Sequence, residues 1–331
     1  MRKGILSLCI LFSVCSYAQE TTKFTAGKHN EYGLLYSLPQ TVFDIEVTAT
    51  KTTQKAGPYY KYAEKYLGVP VSITEDKVFW NLDKVSVTSH GIPDKEQEYL
   101  VKFKSGSTPF MYLNKDGLLL SINTEPITES IKAKTLTPAK TPSPLENNNY
   151  ASVLTEEMLM SGSTAKMAEV AAKQIYRIRE SRLDLSTGES DQKPADGAAL
   201  KLMMQQLDEQ ENTLMAMFMG TTETEQVVKH FTWTPTEETK NEIIFRISDL
   251  IGIVDKNNLS GAPVYMNLKI TEKGEYPVDA KGNIKEMPKN GVAYCIPGKA
   301  AVEITYKGKP VFKNSFQVAQ FGIVYGLDPS L

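Results

Sequence analysis

Cysteine, histidine and closely spaced glycine are all scarce here, and each scarcity removes a class of chemistry. Two of the three cysteines, Cys9 and Cys15, fall inside an N-terminal stretch that reads as a leader, which leaves Cys295 alone. One thiol cannot staple a fold, so stability has to come from burial. The histidines, His29, His90 and His230, lie in three separate segments with no HExxH spacing. A transition-metal site needs several convergent ligands, and none is expected. No two glycines are separated by a single residue, and no P-loop pattern occurs, so the loops that cradle phosphate through adjacent backbone N–H groups are missing. The GxSxG elbow of serine hydrolases is missing as well; Ser161-Gly162-Ser163 reads as a helix entry.

Long apolar runs and blocks of like charge are also lacking. Beyond the leader, no run reaches the roughly 18 residues of a spanning helix. The 37 Lys+Arg and 39 Asp+Glu are dispersed, with no basic block to follow a phosphate backbone. Neither a transmembrane span nor a nucleic-acid partner is expected. What the chain does have is 331 residues, 41% of them hydrophobic and 9% aromatic, enough to bury cores in about two domains.

Residues 1–18 carry the marks of an export signal: Arg2 and Lys3, then the apolar run Ile5 to Val14, then Ser16-Tyr17-Ala18 before Gln19. Leu8 and Val14 precede the two leader cysteines where lipidation would want a small residue, so a lipoprotein reading is secondary. Export to the periplasm or the outside, with outer-membrane association as an option, is the expectation.

Residues 19–123 read as an N-terminal β domain with one short helix. Phe43, Ile45, Val47 and Ala49 alternate with Asp44, Glu46, Thr48 and Thr50, and Tyr99, Val101 and Phe103 repeat the pattern. Asn114-Lys115-Asp116-Gly117 is a hairpin signal. The helix lies within residues 57–68, entered through Pro58 and stopped by Gly68, with Tyr59, Tyr62, Ala63 and Tyr66 on one face as though laid on a sheet. Residues 124–149 form a Pro/Asn-rich connector. Residues 150–220 form an antiparallel helical hairpin: one stripe is Met167, Val170, Ala171, Ile175 and Ile178, the other Leu200, Met203, Met204, Leu207, Leu214 and Phe218. Asp196 is the N-cap of its second helix and Gly220 its stop. Residues 221–331 return to β, with Val264, Met266, Leu268 and Ile270 alternating and Lys307-Gly308 marking another hairpin. The expected class is α+β: two mainly antiparallel β domains joined by the connector and the hairpin, the C-terminal one sandwich-like.

Four segments in order, GPYYKYAEKYLG (57–68), IYRIRESRLDLSTGE (175–189), YCIPGKAAVEI (294–304) and VAQFGIVYGLDP (318–329), resemble an exported Bacteroidetes family of unknown function, domain of unknown function 4831. The resemblance spans nearly the whole chain after the leader. It implies an exported envelope or extracellular protein and carries over no activity, cofactor or catalytic residue.

The remaining candidates are binding features. Tyr59, Tyr60, Tyr62 and Tyr66 crowd one short helix and Trp80 follows, flat rings with polar tips that suit sugar faces or protein hot spots. The competing reading is a buried stripe of Tyr59, Tyr62 and Tyr66, with Tyr60 turned to solvent. Met158, Met160, Met167, Met203, Met204, Met215, Met217 and Met219 concentrate in the helical region, either as an adaptable partner surface or as core filler. The loop Asp255 to Gly261 and the stretch Asp184 to Asp196 offer oxygen ligands without a calcium-loop register, so turns explain them. Glu156-Glu157 and Glu237-Glu238 are adjacent carboxylates whose side chains diverge, unlike a glycosidase pair. The function expected is therefore a non-enzymatic binding or scaffold protein of the bacterial cell envelope, its partner an envelope protein or a glycan, with no cofactor. The alternative is a glycan-directed hydrolase using a pair of carboxylates brought together by the fold.

Overall fold

A computed structural model describes residues 20–24, 33–71, 73–102, 110–126, 146–190, 196–286 and 291–327. The expected leader, His29, Phe103 and most of the connector lie outside the described residues. Eleven strands are described: β1 (Glu20–Lys23), β2 (Leu34–Lys55), β3 (Lys77–Lys102), β4 (Met111–Leu113), β5 (Leu119–Ile122), β6 (Thr221–Trp233), β7 (Thr239–Ser248), β8 (Gly252–Asp255), β9 (Ala262–Glu272), β10 (Val292–Tyr306) and β11 (Lys309–Leu327). The helices are α1 (Ala63–Leu67), α2 (Glu156–Leu159), α3 (Thr164–Thr187) and α4 (Gly197–Met219). The strands pair antiparallel throughout, so the chain is mainly antiparallel sheet with a few helices, an α+β protein.

One sheet has the order β1-β3-β2-β6 and a second β11-β10-β9-β7-β8; β4 and β5 make a separate hairpin. The alternation in β2 has its physical cause here. Phe43, Ile45, Val47 and Ala49 are fully buried, while the intervening Asp44, Glu46, Thr48 and Thr50 are half-buried on the other face. The buried row meets Phe245, Ile247, Val264, Met266, Leu268, Val302 and Ile304 of the second sheet in one core. The first strand of the region 221–331, β6, hydrogen-bonds along β2 from Phe43↔Trp233 to Lys55↔Thr221. The C-terminal stretch thus gives its opening strand to the sheet built by the N-terminal one, and the shared core draws on both.

Local signals act as the sequence suggests. Lys307 and Gly308 both have positive φ at the β10–β11 turn, the geometry of a tight primed hairpin. Asn114 Oδ1 accepts from the backbone N–H of Asp116 and Leu118, at 2.9 Å each, and closes the β4–β5 hairpin. Asp196 accepts from Ala199 N–H at 2.8 Å as the N-cap of α4.

The helices have their own core. Ala168, Ala171, Ile175, Leu214, Met217 and Phe218 bury against Tyr59 and Ala63. The short tyrosine helix, a single 3₁₀ turn running into α1, packs on α3 and α4 and not on a sheet, because its apolar stripe meets the inner halves of those helices. A third cluster joins Tyr36, Leu38 and Val101 to Val292 and Ala293 under the β4–β5 hairpin. Tyr36 donates its hydroxyl to Ala293 O at 2.9 Å, and its burial pushes that phenol far above its ordinary pKa.

Candidate binding cleft

Four of the five aromatic residues singled out in the sequence divide between two cores, Tyr59, Tyr62 and Tyr66 in one and Trp80 in the other. Tyr59 is buried and packs against Phe218 at 5.5 Å, and its backbone N–H donates to Met217 O at 2.8 Å. Tyr62 and Tyr66 stack at 6.1 Å, and Tyr66 reaches Ala165 O at 3.4 Å. Tyr60 is half-buried, with the Lys61 ammonium 5.7 Å from its ring centroid. Trp80 lies on β3 and packs on the core between the sheets. Its indole N–H donates to Leu250 O at 3.3 Å, and its ring presses on Gly252, where an added Cβ would sit 2.7 Å from three ring carbons. The tyrosines and Trp80 do not form one surface.

A different constellation forms where the two sheets meet at their edges. In β6 the odd-numbered residues point toward the second sheet. Lys229 donates to Ile253 O at 2.6 Å and ties β6 to β8. Phe231 stacks on Phe245 at 5.0 Å and 8°, and Trp233 lies beside Phe43 at 6.0 Å and 6°. The Trp233 indole N–H donates to Glu242 Oε1 on β7 at 3.0 Å. β8 ends at Asp255 opposite Phe245, whereas β7 begins at Thr239, so the stretch around Ile243 has no β8 neighbour. The gap is a cavity of about 320 Å³, with Ile45, Phe231, Trp233 and Ile244 as apolar wall. Its rim carries Glu242, Asp255 and Lys256; His230 and Thr232 also border it, but their side chains lie on the other face of β6, opposite Glu46 and Asp44.

The rim is held by hydrogen bonds. Asp255 Oδ1 accepts Asn257 N–H at 3.0 Å, and Asn258 Oδ1 accepts Ser260 N–H at 3.1 Å. These Asx turns shape the loop expected as an outside calcium candidate. Arg246 donates to Lys256 O at 2.8 Å and Gly261 O at 3.2 Å, fastening that loop to β7. The two larger grooves, about 690 and 510 Å³, flank α4, and no aromatic ring lines either.

Strand register also gathers residues that the sequence left apart. His230 is opposite Glu46, and His90 is opposite Val42, so both histidines share a sheet face with Asp44 and Glu46. His90 Nδ1 is 2.8 Å from Asp44 Oδ2. Among the described residues, no group of three His, Cys, Asp or Glu is placed to hold a metal ion. Cys295 lies half-buried with Sγ 3.6 Å from Ala319 O, and burial pushes its thiol pKa up, away from the reactive thiolate.

The family model described as "Domain of unknown function (DUF4831)" matches residues 32–331. The chain belongs to this family. No curated protein and no solved structure matches it. No described helix of this DUF4831 protein is long and apolar enough to cross a membrane. Its cleft was not visible in the sequence. Trp233 closes an alternating strand and Glu242 lies early in the next, and nothing local marks two residues that meet through a fold-wide register.

Proposed function

We propose that this DUF4831 protein is an exported, non-enzymatic binding or scaffold protein of the bacterial cell envelope that engages its partner through the cleft between β6 and β7. The observation that carries the reading is the aromatic-walled cavity of about 320 Å³ with polar groups converging at its rim. Small-molecule sites combine an apolar wall with a few placed polar groups in this way. The stacking of two sheets over one core gives the cleft rigid walls and supports a sandwich-like arrangement. Arg2, Lys3, the apolar run and Ser16-Tyr17-Ala18 support export, and the likeness to exported Bacteroidetes proteins supports the same placement. Cell fractionation combined with affinity capture tests it, using the wild type beside Trp233→Ala. The wild type is expected in the envelope or medium with a partner or glycan that the variant loses; cytoplasmic protein, or equal recovery by both, would remove the reading.

One observation favours the alternative, a glycan-directed hydrolase using paired carboxylates: Glu242 and Asp255 line the same cleft. Against it, Glu242 holds the Trp233 N–H and the exposed Asp255 holds its own turn. A hydrolase would release reducing ends from a bound glycan, and Glu242→Gln or Asp255→Asn would stop that release while leaving binding in place.

A further inference from the structure

We propose that the cleft between β6 and β7 is a saccharide site for a neutral or N-acetylated sugar. This rests on the binding reading above and adds the chemistry of the ligand. A sugar ring has a C–H face and a circumference of hydroxyls, so a receptor needs a flat apolar wall bordered by donors and acceptors. Phe231 and Trp233 supply the wall, each held from behind by another ring, Phe245 at 5.0 Å and Phe43 at 6.0 Å. The Trp233 N–H bond to Glu242 Oε1, 3.0 Å, fixes the indole plane. A carboxylate has acceptor capacity on both oxygens, so Glu242 can still receive a hydroxyl while holding Trp233. Asp255 and Lys256 add an acceptor and a donor around the mouth.

Size and charge narrow the ligand. About 320 Å³ lies at the small end of the roughly 300–1,000 Å³ of small-molecule sites. Two carboxylates against the single ammonium of Lys256 leave the rim acidic, which repels uronic acids and tolerates neutral rings. An extended peptide would have to add to the open edge of β6. Lys229 on that edge is exposed and already donates to Ile253 O, a charge that an added strand would cover.

The chain has two tryptophans, which makes the test direct. In Trp80→Phe protein, Trp233 is the sole tryptophan, and red-edge excitation that spares the sixteen tyrosines isolates its emission. Its fluorescence is expected to shift and saturate with cellobiose or chitobiose and to ignore digalacturonate. Glu242→Gln, which can still accept from Trp233, should weaken binding roughly tenfold by losing a charge-assisted hydrogen bond. Should Trp80→Phe not fold by circular dichroism, subtracting the Trp233→Phe titration from the wild-type one isolates the same signal. Silence with both cellobiose and chitobiose at about 10 mM, tenfold above a weak Kd of about 1 mM, overturns the proposal, as does binding of digalacturonate equal to theirs. If the sugars are silent but capture recovers a partner protein that Trp233→Ala loses, the sugar assignment falls and the binding reading stands; if both fail, both fall.

Discussion

Gln320 stands in for a strand. The β2–β6 pairing stops at Phe43↔Trp233, and Thr41 lies two residues beyond it. There the Gln320 amide takes the backbone as a neighbouring peptide would: Thr41 N–H donates to Oε1 at 3.0 Å, and Nε2 donates to Thr41 O at 2.8 Å. Thr41 Oγ1 in turn accepts Ala319 N–H at 2.9 Å. Gln320→Ala leaves two backbone groups of a buried residue without partners and should cost about 1–3 kcal/mol in urea unfolding. A loss within error would show that water replaces the amide. Glu211 is a second residue-scale case. It is buried on α4 and accepts from Arg179 Nε at 2.7 Å and Arg182 Nη2 at 2.5 Å. Burial acts to raise its pKa, but the Arg179 hydrogen bond and both guanidinium charges outweigh burial and leave it lowered. A lowered carboxylate stabilises the fold above its unfolded pKa of about 4.3, and that contribution fades as pH falls through the lower folded value. Glu211→Gln should therefore cost about 1.5–3 kcal/mol at pH 7 and progressively less in acid, read from urea midpoints across pH. A penalty that stays constant with pH would contradict the ion-pair account. None of these partnerships could be seen in sequence, since Thr41 and Gln320 are far apart along the chain and only the folded register joins them.

At the scale of elements, hydrophobic period and turn chemistry were legible because they are local. The alternation of Phe43 to Ala49, the Lys307-Gly308 turn and the Asp196 cap each depend on residues a few positions apart. The helical stripes were only half informative. The buried residues of α4 all fall in Glu211–Phe218 and those of α3 in Ala168–Ile178, while Leu202 and Leu183 are exposed. Periodicity marks an apolar face without saying how much of it is covered. Amide hydrogen exchange should thus be faster in residues 197–210 than in 211–219, since the outer half of α4 has few buried contacts; uniform protection would mean that the whole hairpin is packed. The edge strand β6 gives the complementary prediction. Lys229, exposed and tied to Ile253 O, guards an edge beyond which no strand pairs among the described residues. Lys229→Leu should raise the sedimentation-derived mass by edge-to-edge association, and a monomer at all concentrations would show that something other than this charge protects the edge.

At the scale of the whole molecule, β6 decides the architecture, because it follows the helical hairpin and yet completes the first sheet beside β2. No local signal announces such a pairing, so composition and period could give the α+β class but could not show which strands share a sheet. The same pairing brings Phe231 and Trp233 opposite β7 and creates the cleft. Trp233 therefore lines the cleft, whereas Trp80 packs on the core between the sheets. The most direct measurement is an ¹H–¹⁵N spectrum that follows the two indole N–H signals while cellobiose or chitobiose is added. The Trp233 signal is expected to move with Trp80 unchanged; movement of Trp80 or of the Tyr59–Tyr66 amides with Trp233 still would contradict it.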